Sequence, residues 1–232
     1  MRLSIILPAF LFICILASTG VSQAPPENDF QIWNEVTLAF PVIKSVSDDK
    51  KSYDRLSILA FGTLRLGQNR LFPVDKRVGA GFEFKPNRHF SVTPTYLYRV
   101  SEAARGRQAT EHRLRFEVAY EKSFGYFSLK DRPRIEYRIR NSRSDVVLFR
   151  NKLTLKVPIK KDGKELFSPF IADEPFYDFK SKRWNANEVS LGFSRKLTSA
   201  LSAEFFYLLK NSSHTLPGTV HAVGTNLRIR ID

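Results

Sequence analysis

Basic side chains recur at every second position in several stretches of the chain, a spacing that brings them onto one face of an extended strand. A guanidinium presents a planar fork that binds a carboxylate or phosphate at two points, and a ring of fixed cations in a narrow pore concentrates anions. The alternation therefore predicts a cationic lumen that receives anionic solutes. The basic positions in this set are Arg113, Arg115, Arg132, Arg134, Arg138, Arg140, Arg150, Lys152, Lys156, Arg228 and Arg230.

Acidic side chains occupy the same alternating face and allow a second interpretation of these charges. Eleven basic against five acidic positions leave a surplus of six positive charges, which favours a narrow anion or acidic-solute channel. The alternative is a non-conducting structural or binding barrel closed by an internal Arg–Glu network, because buried charges need partners. The acidic positions are Glu117, Glu121, Glu136, Glu188 and Glu204.

The sequence offers little for catalysis or metal binding. An outer-membrane phospholipase uses the residue types of Asn211, Ser212, Ser213 and His214, but these four are consecutive in a stretch of ordinary turn composition. That chemistry needs serine and histidine on neighbouring strands within hydrogen-bond reach. The four histidines show no metal-ligand spacing, and phosphate-binding glycine loops are absent from the sequence. We therefore predict no enzyme activity, no cofactor and no metal site.

Period-two alternation of apolar and polar residues predicts that β-strands carry these charges. In the segment 132–140 the charged residues fall on one face, and Pro133, Ile135, Tyr137 and Ile139 fall on the other. A helix would scatter both sets around its axis. Eleven such strands can be read, each long enough to cross a membrane. They lie at about 31–42, 54–66, 77–85, 89–100, 112–122, 132–140, 147–157, 167–178, 187–197, 200–210 and 223–231.

These strands predict an all-β fold, an antiparallel transmembrane β-barrel with a polar lumen. Because single-chain bacterial barrels have even strand numbers, we expect about twelve strands, with ten as the next choice. Side chains could not fill an apolar lumen this wide, so the apolar faces should point to lipid. Short turns at 85–89, 160–165 and 197–200, and longer loops at 101–110 and 211–219, distinguish the two ends. The alternative is a secreted β-sandwich with exposed ion pairs.

The N-terminal residues predict export. The chain has 232 residues with a net charge of +14. Its first residues are Met1 and the basic Arg2, followed by an apolar run over 3–17 and then by small residues. This order is typical of a signal peptide, which we place at 1–22 with cleavage between residues 20 and 24. Residues 23–232 would then form a single barrel domain in the bacterial outer membrane. We expect outer-membrane lipid and small anionic solutes as partners, and no nucleic acid.

Short motifs lie in a characteristic order along the chain: Trp33, PTYLYR at 94–99, EHRLRFE at 111–117, RPRIEYRIR at 132–140, FRNKLTLKVPI at 149–159, DEPFYDF at 173–179 and NEVSLGF at 187–193. Together they resemble an uncharacterised family of bacterial proteins, domain of unknown function 2490. The resemblance covers about 29–231 and implies an outer-membrane β-barrel, but it implies no activity. The chain departs from usual outer-membrane barrels by ending in Ile231-Asp232, where those barrels end in an aromatic assembly signal.

Overall fold

The computed structural model describes residues 27–47, 50–69, 71–104, 106–213 and 215–231. The predicted signal peptide at 1–22, His214 and Asp232 lie outside these described residues, so the domain boundary at residue 23 stays a prediction. Within the described residues there is no helix long and apolar enough to cross a membrane.

The described residues form twelve β-strands. Their bounds are β1 (Asn28–Val46), β2 (Ser52–Gly67), β3 (Phe72–Phe84), β4 (Phe90–Ala104), β5 (Arg107–Ser123), β6 (Ser128–Arg140), β7 (Val146–Lys156), β8 (Ile159–Lys161), β9 (Lys164–Asp178), β10 (Arg183–Lys196), β11 (Leu201–Ser212) and β12 (Thr219–Arg230). The count agrees with the predicted number of strands. Strand β8 has three residues and pairs with β9 outside the wall, so eleven strands form the wall of a closed barrel.

The wall closes between the first and the last strand. Neighbouring strands pair antiparallel elsewhere, but β1 and β12 run parallel, with Asn28 opposite Thr219 and Ala39 opposite Arg230. Successive antiparallel strands alternate in direction, so the first and last of an odd number must point the same way. The parallel pair thus closes an odd-numbered wall, which the even-number rule did not anticipate.

The turns at the two ends of the barrel differ less in length than the sequence indicated. Strand β4 ends at Ala104 and β5 begins at Arg107, so most of the predicted loop at 101–110 is strand. Strand pairing continues to the contact between Ala104 and Arg107. The hairpin of β8 and β9 extends from the opposite end, where β12 also ends. We call this the C-terminal end of the barrel.

Side chains alternate between the outside and the inside of the wall. On β9, Ile171 is 53% exposed and its neighbour Ala172 is 2% exposed. Large apolar residues such as Leu114 and Phe116 face outward, whereas charged residues of the same strands are buried. A water-soluble barrel has apolar side chains inside and polar side chains outside, and this barrel has the reverse arrangement. An apolar outer surface is what a transmembrane β-barrel presents to lipid. The closed wall excludes the alternative of two packed sheets.

Aromatic side chains on the outer face pair with histidines. The Tyr96 hydroxyl lies 2.7 Å from Nδ1 of His112, and the Tyr207 hydroxyl lies 2.6 Å from Nδ1 of His221. Tyr96 and Tyr207 are both exposed. Such rings suit a membrane interface, because the apolar body can contact lipid while the polar atom keeps a partner.

A polar patch interrupts the apolar outer face. Asp131 on β6 and Asp173 on β9 lie on either side of Leu153 of β7 in the strand register. The Asn187 side-chain amide donates a 2.8 Å hydrogen bond to Asp173. Acyl chains offer no hydrogen-bonding groups, so this bond supplies a partner that lipid cannot. The outer polar patch consists of Asp131, Asn151, Asp173 and Asn187.

Candidate functional site

Several ion pairs join strands that are not neighbours in the wall, and two of them show that such pairs run through the barrel interior. An Arg150 Nη atom on β7 lies 3.3 Å from the Glu188 carboxylate on β10, although β9 lies between them. An Arg228 Nη atom on β12 lies 2.7 Å from Glu83 on β3, past β1 and β2. The inward positions of these strands thus place their charged groups in one shared space.

Glu136 on β6 is the centre of the interior charges. Among the described residues, four guanidinium groups contact its carboxylate. They belong to Arg138 at 2.6 Å, Arg134 at 3.2 Å, Arg150 at 3.2 Å and Arg113 at 3.7 Å. A buried carboxylate is stable only when it is both paired and hydrogen-bonded. Glu136 meets this condition with partners from β5, β6 and β7.

Ion pairs continue from this centre toward β3. Arg113 contacts Glu111 at 2.5 Å, and Arg99 of β4 contacts the same carboxylate at 3.3 Å. Arg99 also contacts Asp75 at 2.9 Å, and Arg77 contacts Asp75 at 2.7 Å. Each carboxylate in this part is therefore shared by at least two arginines, which links β3, β4 and β5 through their interior faces.

Ion pairs also continue from the centre toward β11. Arg150 contacts Glu174 of β9 at 3.0 Å as well as Glu188, and Lys210 of β11 contacts Glu188 at 3.0 Å. The result is a continuous series of charged groups around most of the interior. This ion-pair chain consists of Arg77, Asp75, Arg99, Glu111, Arg113, Glu136, Arg150, Glu188 and Lys210.

Apolar packing fills the sector of the interior between β11 and β2. Trp33 of β1, Leu208 of β11 and Ala222 of β12 are buried together, and Phe206 packs against them. The Arg65 guanidinium carbon of β2 lies 3.3 Å from the centre of the Trp33 ring, a close cation–π contact. Arg65 thus joins the apolar sector to the charged strands that follow it.

The interior is dense at the level of the ion-pair chain. A passage wide enough for water would expose the side chains that face it, yet Glu136 is 1% exposed and Arg113 and Glu111 are each 3% exposed. The Arg150 guanidinium carbon also lies 3.9 Å from the ring centre of Phe176. About eight strands is the limit that ordinary side chains can fill, so a wider barrel needs long arginines to reach across.

Open space lies nearer the C-terminal end of the barrel. A cavity of about 90 Å³ is present there, between residues of β5, β6, β7, β9 and β11. We call it the C-terminal cavity. Among the described residues, its charged lining consists of the cations Lys130, Arg132, Lys152 and Lys156 and the carboxylates Glu121 and Glu204.

A family model described as "Protein of unknown function (DUF2490)" matches residues 30–217. The chain belongs to this family. The resemblance predicted from the sequence motifs is confirmed, and the family description supplies no activity. No curated protein matches the chain.

Two solved structures are distantly similar to this DUF2490 chain. The NanC porin in a rhombohedral crystal form is 11% identical with a TM-score of 0.46, and the match covers 77% of this chain and 84% of the porin. The anion-selective porin from Comamonas acidovorans is 13% identical with a TM-score of 0.36, covering 78% of this chain and 59% of the porin. Neither likeness is close enough to assign a property to the DUF2490 chain.

The DUF2490 barrel brings most of the predicted charged residues together in two groups. The first group comprises four members of the ion-pair chain (Arg113, Glu136, Arg150 and Glu188), the two further arginines that contact Glu136 (Arg134 and Arg138), and Glu117, which contacts Arg134. The second group lines the C-terminal cavity: Arg132, Lys152, Lys156, Glu121 and Glu204.

Four predicted basic residues lie apart from both groups. Arg115 donates a 2.9 Å hydrogen bond to the Thr95 hydroxyl. Arg140 does not join the other arginines, because its Nε donates a 2.9 Å hydrogen bond to the carbonyl of Ser144 in the following turn. The other two form separate ion pairs, Arg228 with Glu83 and Arg230 with Asp54.

Sequence reasoning missed several members of the ion-pair chain. Glu111 lies two residues before Arg113, and Arg77 lies two residues after Asp75, so the same period-two rule would have identified them. Lys210 has no comparable neighbour, and its role depends on the position of Glu188 on the adjacent strand. Within the described ranges, no group of three or more His, Cys, Asp or Glu side chains is arranged to hold a metal ion.

Proposed function

We propose that this chain is an outer-membrane β-barrel that is closed to free diffusion and serves as a structural or binding barrel rather than as an open channel or an enzyme. The outward apolar surface suits lipid, and the predicted signal peptide at 1–22 would direct export. Outer-membrane lipid is then the immediate partner. The proposal includes no cofactor and no nucleic acid.

The observation that carries the proposed closure is the burial of Glu136. Its carboxylate faces the lumen, holds contacts to four arginines and is 1% exposed. In an open pore of this width, solvated ions would pass beside such a group and keep it wet. A complete network of paired charges also resists rearrangement, because every separation leaves a charge unpaired in a low-dielectric space.

Planar-bilayer recording tests the closure. The full protein, purified from outer membranes, should insert without a stable single-channel conductance, with insertion verified by flotation on lipid vesicles. A steady conductance of the unmodified protein would overturn the closure. Absence of the protein from the outer-membrane fraction of the cell would overturn the proposed location.

A narrow anion-selective channel is the second candidate. The C-terminal cavity favours it, because four cations and two carboxylates form its charged lining in the described residues. Recording under a salt gradient would then show a current carried by small anions, and the substitutions Lys130→Glu and Lys156→Glu in the lining of the cavity would reduce its selectivity. The same bilayer measurement therefore decides between the two candidates.

A further inference from the structure

We infer that the C-terminal cavity is a binding site for a small divalent oxyanion of the size of inorganic phosphate. The site would be the ligand site of the binding barrel proposed above, and it rests on that proposal. Three observations support it: the charge of the lining, the looseness of its ion pairs and the pairing of two cations across adjacent strands.

The lining of the cavity has a surplus of positive charge. Lys130, Arg132, Lys152 and Lys156 face two carboxylates among the described residues. Two positive charges are therefore left without an acidic counterpart in the cavity itself. A ligand with two negative charges would balance them, and the low-dielectric protein around the cavity would strengthen its attraction to the cations.

The ion pairs of the cavity are long. Lys130 Nζ lies 3.7 Å from Glu121, and Lys156 Nζ lies 3.7 Å from Glu204. These separations exceed hydrogen-bond distance, whereas the Arg138–Glu136 pair of the ion-pair chain measures 2.6 Å. The ammonium groups in the cavity therefore retain N–H donors that an oxyanion could use.

Arg132 also lacks a carboxylate of its own. Its nearest acidic atoms are those of Glu117 at 3.7 Å and Glu174 at 3.8 Å. Both carboxylates have closer partners, since Glu117 contacts Arg134 at 2.6 Å and Glu174 contacts Arg150 at 3.0 Å. The guanidinium fork of Arg132 is thus available for two-point binding of an oxyanion.

Lys152 gives the strongest support for an anion site in the cavity. It lies directly opposite Arg132 in the register of β6 and β7, and like charges in opposite positions destabilise a sheet. Among the described residues, Lys152 forms no salt bridge or hydrogen bond, although it is partly buried and lines the cavity. An anion placed between these two cations would replace their repulsion with two attractive contacts.

The size of the cavity and the uncharged polar residues in its lining indicate which ligands could fit. A volume of about 90 Å³ corresponds to roughly three water molecules, which suits a single tetrahedral oxyanion or a very short dicarboxylate. The hydroxyls of Ser128 and Thr154 also line the space and can donate hydrogen bonds to oxyanion oxygens. Phosphate, sulfate and malonate share this chemistry.

Isothermal titration of the full protein in detergent with inorganic phosphate tests the site. We expect saturable binding that Lys152→Met weakens by about tenfold, because one charge-assisted contact is lost. Lys160→Met is the matched control, since Lys160 lies on exposed β8 outside the cavity and should leave the affinity unchanged. The electrophoretic mobility of unheated samples shows whether each variant is folded. If Lys152→Met does not fold, Lys156→Met provides a second variant.

Three outcomes would overturn the inference. They are no saturable binding by the unmodified protein, equal affinity in the Lys152→Met protein, and equal weakening by Lys160→Met. Competition by sulfate or malonate would support the oxyanion class. Displacement by chloride at matched ionic strength would instead indicate general charge attraction and would count against the site. Because titration needs no current, its failure is distinguishable from a failure of the closed-barrel proposal in bilayer recordings.

Discussion

Arg150 and Glu188 are joined at 3.3 Å through the interior of the barrel, although a complete strand lies between their own strands in the wall. On its other side, the Arg150 guanidinium contacts Glu136 at 3.2 Å. One side chain therefore ties β6 to β10. An ion pair that crosses the lumen can stabilise the wall and can also block the lumen. Unfolding measurements report the first effect, and conductance measurements report the second.

Removal of the charge at Glu136 should destabilise the barrel strongly. In Glu136→Gln, four arginines lose their common buried partner, and breaking a buried ion pair costs about 3–5 kcal/mol. Urea unfolding in lipid vesicles measures this loss. Glu121→Gln is the control, because its 3.7 Å pair with Lys130 is half exposed, and such pairs contribute at most about 1 kcal/mol. Similar small losses in both variants would contradict a central role for Glu136.

Removal of the cross-lumen pair should open a conducting path. The double substitution Arg150→Ala with Glu188→Ala leaves the net charge unchanged but removes the two side chains that meet in the interior. We expect current in planar bilayers from this variant and none from the unmodified protein. The charge-neutral pair Arg228→Ala with Glu83→Ala is the control, since these residues lie outside the ion-pair chain and should leave the lumen closed. A silent Arg150/Glu188 variant that still inserts would show that other side chains maintain the closure.

The parallel closure of the wall can be tested with an engineered disulfide. Ile32 and Val223 are paired in the parallel register of β1 and β12, so cysteines at these positions should form a disulfide, and Cys14 does not compete because it lies in the predicted signal peptide. A gel shift on reduction detects the bond. The control combines Ile32→Cys with Leu227→Cys, because Leu227 lies four residues further along β12, about 13 Å away. Crosslinking of the control instead of the paired positions would exclude this register.

The outer polar patch predicts an unusual gain in stability. Asp173 is exposed on the outer face beside apolar neighbours, and charged groups on the lipid face of a barrel are destabilising. The double substitution Asp173→Leu with Asn187→Leu removes the carboxylate together with the amide that donates to it, and it should therefore stabilise the barrel in lipid vesicles by about 1 kcal/mol, measured by urea unfolding. Ile171→Leu, an apolar exchange on the same outward face of β9, should change little. A loss of stability in the double variant would contradict contact between this face and lipid, because two apolar side chains should be favoured there over two polar ones.

The alternating pattern of single stretches was sufficient to derive the strands and their two faces. In the segment 132–140, period-two alternation separates Ile135, Tyr137 and Ile139 from the charged residues, and the structure places these three on the outer face. This works because successive side chains of any extended strand point to opposite sides. Strands, barrel class and family could therefore be predicted from local information alone.

Only the tertiary structure decided how many strands close the wall and which charges meet. The parallel pairing of β1 with β12 depends on the complete circuit of strands, and no single stretch contains that information. Arg150 and Lys152 lie two residues apart on the same face of β7, so the pattern treats them alike. Arg150 nevertheless binds three glutamates, whereas Lys152 faces the C-terminal cavity. The difference arises because partners across a lumen come from strands that are distant in sequence. The position of each side chain along the barrel axis is set by the register of the whole barrel.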